Sequence, residues 1–153
     1  MGWDVKREKK TGQFRNNIQQ KYDLTFKSNI ELFAYEYAKK IKLKCKFQPW
    51  YNINPGFDYM DEHIRPLSVN PDFEIMVGDV INVVDTKGEK KNKKTGLMEA
   101  WILPDSALKY KLLKYHFYVE KKKAIIHFPF TESMVEKLFD ELKKMKDESR
   151  KKV

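Results

Sequence analysis

The chain has 153 residues, of which 41% are hydrophobic and 14% aromatic, so it is long and apolar enough to form one domain over residues 1–153. Its 31 Lys and Arg residues outnumber its 22 Asp and Glu residues, and the net charge of +9 indicates a polyanionic partner unless the lysines only aid solubility. The single cysteine excludes an internal disulfide and favours a cytoplasmic protein. No apolar run reaches the roughly 18 residues that a membrane span needs.

Residues 1–20 are polar and basic, which predicts an N-terminal arm that either contacts phosphate groups or is a solvated tail. A helix is predicted from Phe26 to Lys42, because apolar residues recur there at helical spacing and form one stripe. Ser28 is a suitable N-cap, and Glu31 three residues later completes a capping box. Glu31 also lies at the edge of the stripe, where its carboxylate can instead face a cleft.

The segment from Ile41 to Pro49 alternates apolar and basic side chains, which predicts a half-buried strand. Its lysines either face DNA, face solvent or protect a sheet edge. Trp50 to Asn70 is predicted to be irregular. Its aromatic side chains are expected mainly to pack, with stacking on exposed bases as the alternative. His63, in the same segment, is interpreted as a surface residue.

A β-hairpin is predicted from Asp72 to Lys87. Its first strand, Asp72–Met76, follows a proline, its second, Val80–Lys87, is rich in β-branched residues, and a Gly-Asp pair forms the turn between them. Because side chains alternate along a strand, Asp85 and Lys87 point to the same face. The first strand can bring the carboxylate of Asp72 beside that face.

Two carboxylates and an ammonium group in one place suit the hydrolysis of a phosphodiester. Carboxylate oxygens are preferred ligands of hard divalent cations, and a bound Mg²⁺ or Mn²⁺ can activate water and stabilise charge on a phosphate oxygen. A lysine can orient the water or neutralise the developing charge. A second Pro-Asp pair, Pro104-Asp105, is rejected as a site. The residues between it and Glu120 have a helical pattern, which puts the two acids at opposite ends of one element.

Gly88–Gly96 is predicted to be a basic flexible loop that embraces a phosphate backbone, with a solvated loop as the alternative. Its lysines are Lys90, Lys91, Lys93 and Lys94. A helix from Asp105 to Tyr118 follows. Its predicted buried side consists of Ala107 or Leu108, Leu112, Tyr115 and Val119, and its exposed side of Lys109, Lys111 and Lys114.

Lys123–Pro129 is predicted to be a further strand, in which His127 is interpreted as structural. Thr131 caps a last predicted helix, Glu132–Lys146, and residues 147–153 are expected to be a charged tail. The side chains predicted to face inward from this helix are Met134, Val135, Leu138, Leu142 and Met145.

Three segments in order carry a resemblance to the PD-(D/E)xK nuclease superfamily, and within it to the phage endonuclease I family of Holliday-junction-resolving enzymes. They are Phe26-Lys27-Ser28-Asn29-Ile30-Glu31, Pro71-Asp72-Phe73 and Val84-Asp85-Thr86-Lys87-Gly88. The resemblance covers roughly residues 26–88. Asp85 stands where endonuclease I has Glu, and the superfamily accepts either residue.

The resemblance implies an α/β, restriction-endonuclease-like core with a mixed central sheet flanked by helices. It implies a metal-dependent deoxyribonuclease that cuts branched or otherwise structured DNA, as a homodimer, in the cytoplasm of a phage-infected or other prokaryotic cell. The catalytic residues it implies are Glu31, Asp72, Asp85 and Lys87. The residues it implies for binding Mg²⁺ or Mn²⁺ are Glu31, Asp72, Asp85 and Thr86. It also implies a DNA-contacting helix after the catalytic strand, with Lys111 first and Lys114 second.

Two other functions remain open. A catalytically inactive nucleic-acid-binding module on the same fold would bind DNA in a salt-dependent way without needing metal. A protein-interaction domain would show no salt-sensitive DNA affinity. The sequence contains no GxxxxGK phosphate loop, no CxxC or HExxH motif and no GxSxG elbow, which argues against nucleotide, zinc and serine-hydrolase chemistry.

Overall fold

The computed structural model describes residues 19–151, so the basic arm predicted for residues 1–20 lies outside them except for its last two residues. Within this range there are three helices: α1 (Asn29–Lys40), α2 (Pro104–Val119) and α3 (Glu132–Lys151). The strands are β1 (Gln19–Lys21), β2 (Leu24–Phe26), β3 (Lys46–Phe47), β4 (Tyr51–Asn52), β5 (Phe57–Tyr59), β6 (Glu62–Ile64), β7 (Ser68–Val69), β8 (Phe73–Val77), β9 (Val80–Val84), β10 (Glu89–Lys91), β11 (Met98–Ala100) and β12 (Lys123–His127).

The central sheet has four strands in the order β12-β9-β8-β3. β12 runs parallel to β9, whereas β9 with β8 and β8 with β3 are antiparallel, so the predicted mixed sheet is confirmed. The predicted hairpin is β8 and β9. It turns at Gly78, whose φ of +60° costs glycine little. The chain reaches β12 from β9 through α2, because parallel neighbours need a long crossover.

Helices α1 and α3 cover one face of the sheet. The α3 side chains that turn inward are Val135, Phe139 and Leu142, and they pack against apolar residues of β8. Phe139 is fully buried, and its ring meets that of Phe73 edge-on with centroids 5.8 Å apart. This layer is therefore held mainly by buried apolar area.

Helix α2 covers the other face with Tyr110, Leu113 and Phe117, which pack against residues of β9 and β12. The predicted α/β architecture, a mixed sheet with helices on both faces, is confirmed. None of the helices in residues 19–151 is long and apolar enough to cross a membrane.

The strand predicted from Ile41 to Pro49 is wrong over most of its length, because only Lys46–Phe47 is a strand. The preceding residues end α1 instead. Lys42 has a φ of +57°, the Leu43 N–H donates to the Ala38 carbonyl (2.8 Å), and the Lys42 N–H donates to the Lys39 carbonyl (3.1 Å). This is a Schellman motif, which uses residues that the alternating pattern assigned to the strand.

Two segments predicted to be irregular contain short antiparallel strands. Between residues 50 and 70, β4 pairs with β7 and β5 pairs with β6. The predicted loop Gly88–Gly96 contains β10, which pairs with β11 in a hairpin. The Asn92 side chain closes its turn, because Oδ1 accepts hydrogen bonds from the N–H groups of Lys94 and Thr95.

The predicted buried side of α2 is wrong. Leu108, Tyr115 and Val119 are 58%, 64% and 58% exposed. The helix has apolar residues on two nearly opposite faces, and the face that carries Tyr110 and Phe117 packs on the sheet.

Helix α3 also differs in part from its prediction. Val135, Leu138 and Leu142 face the core as predicted, but Met134 and Met145 are exposed and Phe139 takes the central place. The helix continues to Lys151, so the predicted tail from residue 147 is helical over its described part.

Phe139→Ala should therefore destabilise the protein by about 3–5 kcal/mol, the usual cost of emptying a buried phenylalanine site. Met145→Ala, at an exposed position of the same helix, should change the free energy of unfolding by less than about 0.5 kcal/mol. Urea unfolding of both variants measures the difference. Equal losses would mean that α3 packs through the predicted methionine face.

Candidate functional site

Two aspartates lie side by side at the open end of the β8–β9 hairpin. The ladder ends with Phe73 opposite Val84, so the next residues along the strands, Asp72 and Asp85, are cross-strand neighbours. Both residues are buried, with 6% and 9% of their surface exposed. Like charges directly opposite one another destabilise a sheet, so this pair calls for a chemical reason.

Backbone hydrogen bonds fix both aspartates. The Gln48 N–H donates to the Asp72 carbonyl (2.7 Å), on the β3 side of the sheet. The Asp85 N–H donates to the His127 carbonyl (3.0 Å) and continues the contact between β9 and β12. The two carboxylates are thus anchored on the ends of sheet strands, which position a site more rigidly than loops do.

Thr86 orients the Asp72 carboxylate from the neighbouring strand. Its N–H and its hydroxyl both donate to Asp72 Oδ2, at 2.7 and 2.6 Å. Both hydrogen bonds end on the same oxygen, so Asp72 Oδ1 takes no part in them. The predicted role of Thr86 as a metal residue stays a prediction, and its observed contacts are those of a residue that positions Asp72.

Lys87 lies beside Asp85, as the alternation of side chains predicts. Its Nζ is 2.7 Å from Asp85 Oδ2, and the two side chains are only 16% and 13% exposed. The ammonium group also lies 5.8 Å from the centre of the Tyr110 ring. Lys87 therefore brings a partly desolvated cation to the aspartate pair.

Tyr110 is a residue of the site that the sequence interpretation missed. It extends from α2 toward the aspartates, with its ring edge-on to Phe128 at 4.9 Å. Burial, reinforced by the adjacent Asp85 carboxylate, raises the pKa of Tyr110 well above its ordinary value. A tyrosine hydroxyl is protonated at neutral pH, and this shift extends the range to higher pH, so Tyr110 can donate a hydrogen bond.

Glu31 lies at the start of α1 and also in the wall of the cavity, and its role as a metal residue stays a prediction. Its N–H donates to the Ser28 hydroxyl (3.2 Å), so Ser28 caps α1 as predicted. Its carboxylate reaches back to the Lys27 N–H (2.6 Å) and accepts from the Gln48 side chain (3.3 Å). The residue is 1% exposed and also lines the cavity that contains Asp72.

The surroundings of Asp72 disfavour its ionised form. Burial raises the pKa of Asp72 well above its usual range, the carboxylates of Asp85 and Glu31 raise it further, and the hydrogen bonds from Thr86 oppose the shift. Asp72 thus carries an unfavourable charge when ionised, which a bound cation would relieve.

A cavity of about 500 Å³ opens onto this group. It is lined by all four predicted catalytic residues, Glu31, Asp72, Asp85 and Lys87, and by Thr86. The structure therefore brings the predicted site residues together.

Other residues of the cavity wall were not predicted to belong to the site. They include Lys27, at the start of the capping motif, and Lys109 and Tyr110 on α2. Both lysines are exposed cations. Trp50 also lines the cavity, and it is one of the aromatic residues of the Trp50–Asn70 segment for which packing is the expected role and stacking on exposed bases the alternative.

The lysines predicted to contact DNA do not line this cavity. Lys90, Lys91, Lys93 and Lys94 are exposed on the β10–β11 hairpin, and Lys90 forms an ion pair with Glu99 at 3.7 Å. Neither Lys111 nor Lys114 lines the cavity. Lys114 lines a depression beside Val80, at the opposite end of β9 from Asp85. On α2 it is Lys109, one residue before Tyr110, that reaches the cavity.

Among residues 19–151, no group of three or more His, Cys, Asp and Glu side chains has the arrangement of a metal site. The described geometry offers instead the adjacent pair Asp72 and Asp85, while the Glu31 carboxylate is engaged by Gln48 and by a backbone N–H. The acids supply only oxygen donors, which suits a hard divalent cation such as Mg²⁺ or Mn²⁺.

His127 and His63 make contacts outside the cavity. His127 Nε2 lies 3.0 Å from Asn82 Oδ1, and burial lowers the pKa of His127, which fits the predicted structural role. His63 is an exposed residue paired with Asp58, as predicted for a surface histidine.

Comparison of the chain with family models, with curated proteins and with solved structures finds no match.

Asp72→Asn should raise the stability of the protein measured in a metal chelator. The folded-state pKa of Asp72 lies above its unfolded value, so ionisation opposes folding, and asparagine removes the charge while its amide oxygen still accepts from Thr86. The gain should exist near neutral pH. It should shrink as the pH falls below the folded-state pKa of Asp72, and it should vanish only below the ordinary carboxyl pKa, where the unfolded chain is protonated too.

Thermal unfolding across this pH range checks the prediction, with a rise in Tm of at least about 2 °C expected near neutral pH. Asp79→Asn is the matched control, because its carboxylate is exposed and pairs with Lys123 at the surface. A lower Tm for Asp72→Asn near neutral pH would contradict the repulsion of Asp72 by the carboxylates of Asp85 and Glu31.

Proposed function

We propose that the chain is a metal-dependent endonuclease that hydrolyses phosphodiester bonds in DNA, on a restriction-endonuclease-like core of the PD-(D/E)xK type. One observation carries the proposal. Asp72 and Asp85 are adjacent on two strands, with Lys87 Nζ 2.7 Å from Asp85, and all three line one open cavity. A buried acid pair with a partly buried lysine is costly to fold, and phosphodiester hydrolysis is a chemistry that uses each member.

Asp72 and Asp85 are the residues that would hold Mg²⁺ or Mn²⁺, with Glu31 as a further acid beside them. When bound, the cation supplies charge neutralisation at the phosphate and a more acidic water. Thr86 holds Asp72 through Oδ2, so its other oxygen is the one to offer to the cation. The raised pKa of Asp72 supports this arrangement, because a cation favours the ionised form.

Lys87 is the residue to which we assign contact with the reacting phosphate. In hydrolysis, water delivers hydroxide to phosphorus, the bond to the leaving oxygen breaks, and that oxygen takes a proton, so the products are a phosphomonoester and a free hydroxyl. The Lys87 ammonium, fixed by Asp85, can orient the water or stabilise the negative charge that develops on the phosphate. Tyr110 keeps its proton and helps to hold the Asp85 and Lys87 pair in position.

The charge of the chain supports a nucleic-acid substrate. The net charge is +9, and the exposed side chains of Lys27 and Lys109 line the cavity around the acids. These two lysines are better placed than Lys111 or Lys114 to contact the phosphates that flank the reacting one. We further propose branched or structured DNA as the substrate, and a homodimer that cuts two strands in a phage-infected or other prokaryotic cell.

A catalytically inactive DNA-binding module is the second candidate. The basic surface alone favours it, and it requires no metal. The two functions differ in a cleavage assay with Mg²⁺ or Mn²⁺ on a four-way junction, a flap, a single strand and a linear duplex. Salt-sensitive binding of all four substrates without cleavage would support the inactive module.

Lys87→Ala should lower the rate of metal-dependent DNA cleavage by at least about 100-fold, because it removes a cation that stabilises the transition state. The substitution also leaves Asp85 without its ion-pair partner, so circular dichroism should establish that the variant is folded at the assay temperature. Lys137→Ala is the control, since it removes the same charge from an exposed position on α3. Cleavage by Lys87→Ala at the wild-type rate would remove Lys87 from the mechanism.

Glu31→Gln, compared with Ser28→Ala, separates helix capping from catalysis. Ser28→Ala removes the hydroxyl that accepts from the Glu31 N–H, so it should cost about 1 kcal/mol of stability and leave cleavage intact. Glu31→Gln keeps an oxygen for the Lys27 N–H but loses the charge. Glu31→Gln should lower the rate of cleavage at least about tenfold. Its loss of stability should be no larger than that of Ser28→Ala. An active, stable Glu31→Gln would assign Glu31 to the helix cap alone.

A further inference from the structure

Trp50 is a large aromatic residue that the fold leaves uncovered at the candidate active site. Its surface is 64% exposed, although burying tryptophan would stabilise the protein more than burying almost any other side chain. It lines the same cavity as Asp72 and Lys87. Its position therefore needs an explanation other than core packing.

Hydrogen bonds connect the segment that carries Trp50 to the segment that carries Asp72. The Asn70 side chain donates hydrogen bonds from Nδ2 to the carbonyls of Gln48 (3.0 Å) and Pro49 (2.7 Å). Asn70 is only two residues before Asp72, so these bonds couple the position of Trp50 to that of the aspartate. Pro49 itself is fully buried, which anchors the chain directly before Trp50.

A hydrogen bond orients the indole ring. Trp50 Nε1 donates to Asn52 Oδ1 at 3.0 Å, which restricts rotation of the ring while most of the side chain stays exposed. A ligand that packs on this ring therefore causes little loss of conformational entropy in the Trp50 side chain, which favours binding.

The surroundings of the ring define the chemistry of that ligand. Lys27 and Lys109 line the same cavity, so phosphate groups and a flat aromatic surface are accommodated together. A nucleotide base has a π-face that stacks on an indole whatever its sequence. Inside a duplex both faces of a base are covered by neighbouring pairs, so only an unstacked base can use Trp50.

We propose that Trp50 is a specificity-determining residue that stacks on an unpaired base next to the scissile phosphate. The site then selects nucleic acid with a single-stranded segment, at a flap, gap or branch point, over continuous duplex. This inference rests on the proposed function for the position of the scissile phosphate, whereas the base-stacking contact can be measured without cleavage.

The test compares two DNA ligands of equal length and charge, one a flap or gapped duplex and the other a continuous duplex. Affinities are measured by fluorescence anisotropy with the full chain carrying Lys87→Ala, at one fixed salt concentration. Adding Trp50→Ala should raise the Kd for the flap between about 5-fold and about 100-fold. The Kd for the duplex should change less than about twofold, because duplex binding relies on phosphate contacts. Trp50→Phe should recover part of the flap affinity.

Trp101→Ala is the matched control, because Trp101 is also about half exposed, at 49%, but does not line the cavity. It should leave both Kd values unchanged within about twofold. An equal loss on flap and duplex with Trp50→Ala, or no loss on either, would overturn the inference.

Cleavage by the chain with Lys87 intact distinguishes failure of this inference from failure of the proposed function. If that protein cleaves DNA but Trp50→Ala leaves its flap-to-duplex preference unchanged, the nuclease stands and the role of Trp50 is refuted. If it cleaves nothing while Trp50→Ala selectively weakens flap binding, the base-stacking contact stands and the nuclease proposal fails.

Discussion

The juxtaposition of Asp72 and Asp85 across the β8–β9 hairpin is the constraint on which the rest of the site depends. Two acids in cross-strand register, both buried, repel each other and lose hydration, and both effects disfavour the folded state. The surrounding contacts offset this cost. Lys87 pairs with Asp85, and Thr86 gives Asp72 two short hydrogen bonds. The proposed metal-dependent chemistry would account for the cost that remains, because a purely structural sheet end would be more stable with uncharged residues.

Gln48 connects the parts of the site that come from different elements. Its N–H binds the Asp72 carbonyl, and its side chain donates to both the Glu31 carboxylate and the Thr25 carbonyl. It makes these contacts with a φ of +50°, in the left-handed region that non-glycine residues seldom adopt. Strained conformations of this kind cluster where a site must be held in one geometry. The position of Glu31 relative to the aspartates therefore depends on a residue outside all three sequence motifs.

The local sequence pattern predicts the structure correctly where the feature lies within one hairpin or at one helix end. The hairpin and its cross-strand acids follow from a two-residue side-chain period and a Gly-Asp turn, and the Ser28 cap follows from a four-residue motif. It fails where two patterns compete. On α2, one apolar stripe contains Leu108 and Tyr115 and the other Tyr110 and Phe117, and only packing on β9 and β12 selects the second. That selection also brings Tyr110 and Lys109 to the cavity, so an error in one helix face hid two residues of the site.

The three carboxylates of the cavity, in a chain with a net charge of +9, have a consequence for how a polyanion can enter it. In the proposed function, the excess of basic residues would attract DNA, yet Glu31, Asp72 and Asp85 would repel the phosphate that must come closest to Lys87. A cation held by the two aspartates would remove this repulsion. Metal should therefore raise the affinity of the cavity for the phosphate as well as the rate of its hydrolysis. An inactive module that uses only its basic surface has no such requirement. Dependence of productive binding on metal is thus the property that separates the two functions, since affinity for DNA alone follows from the charge in either case.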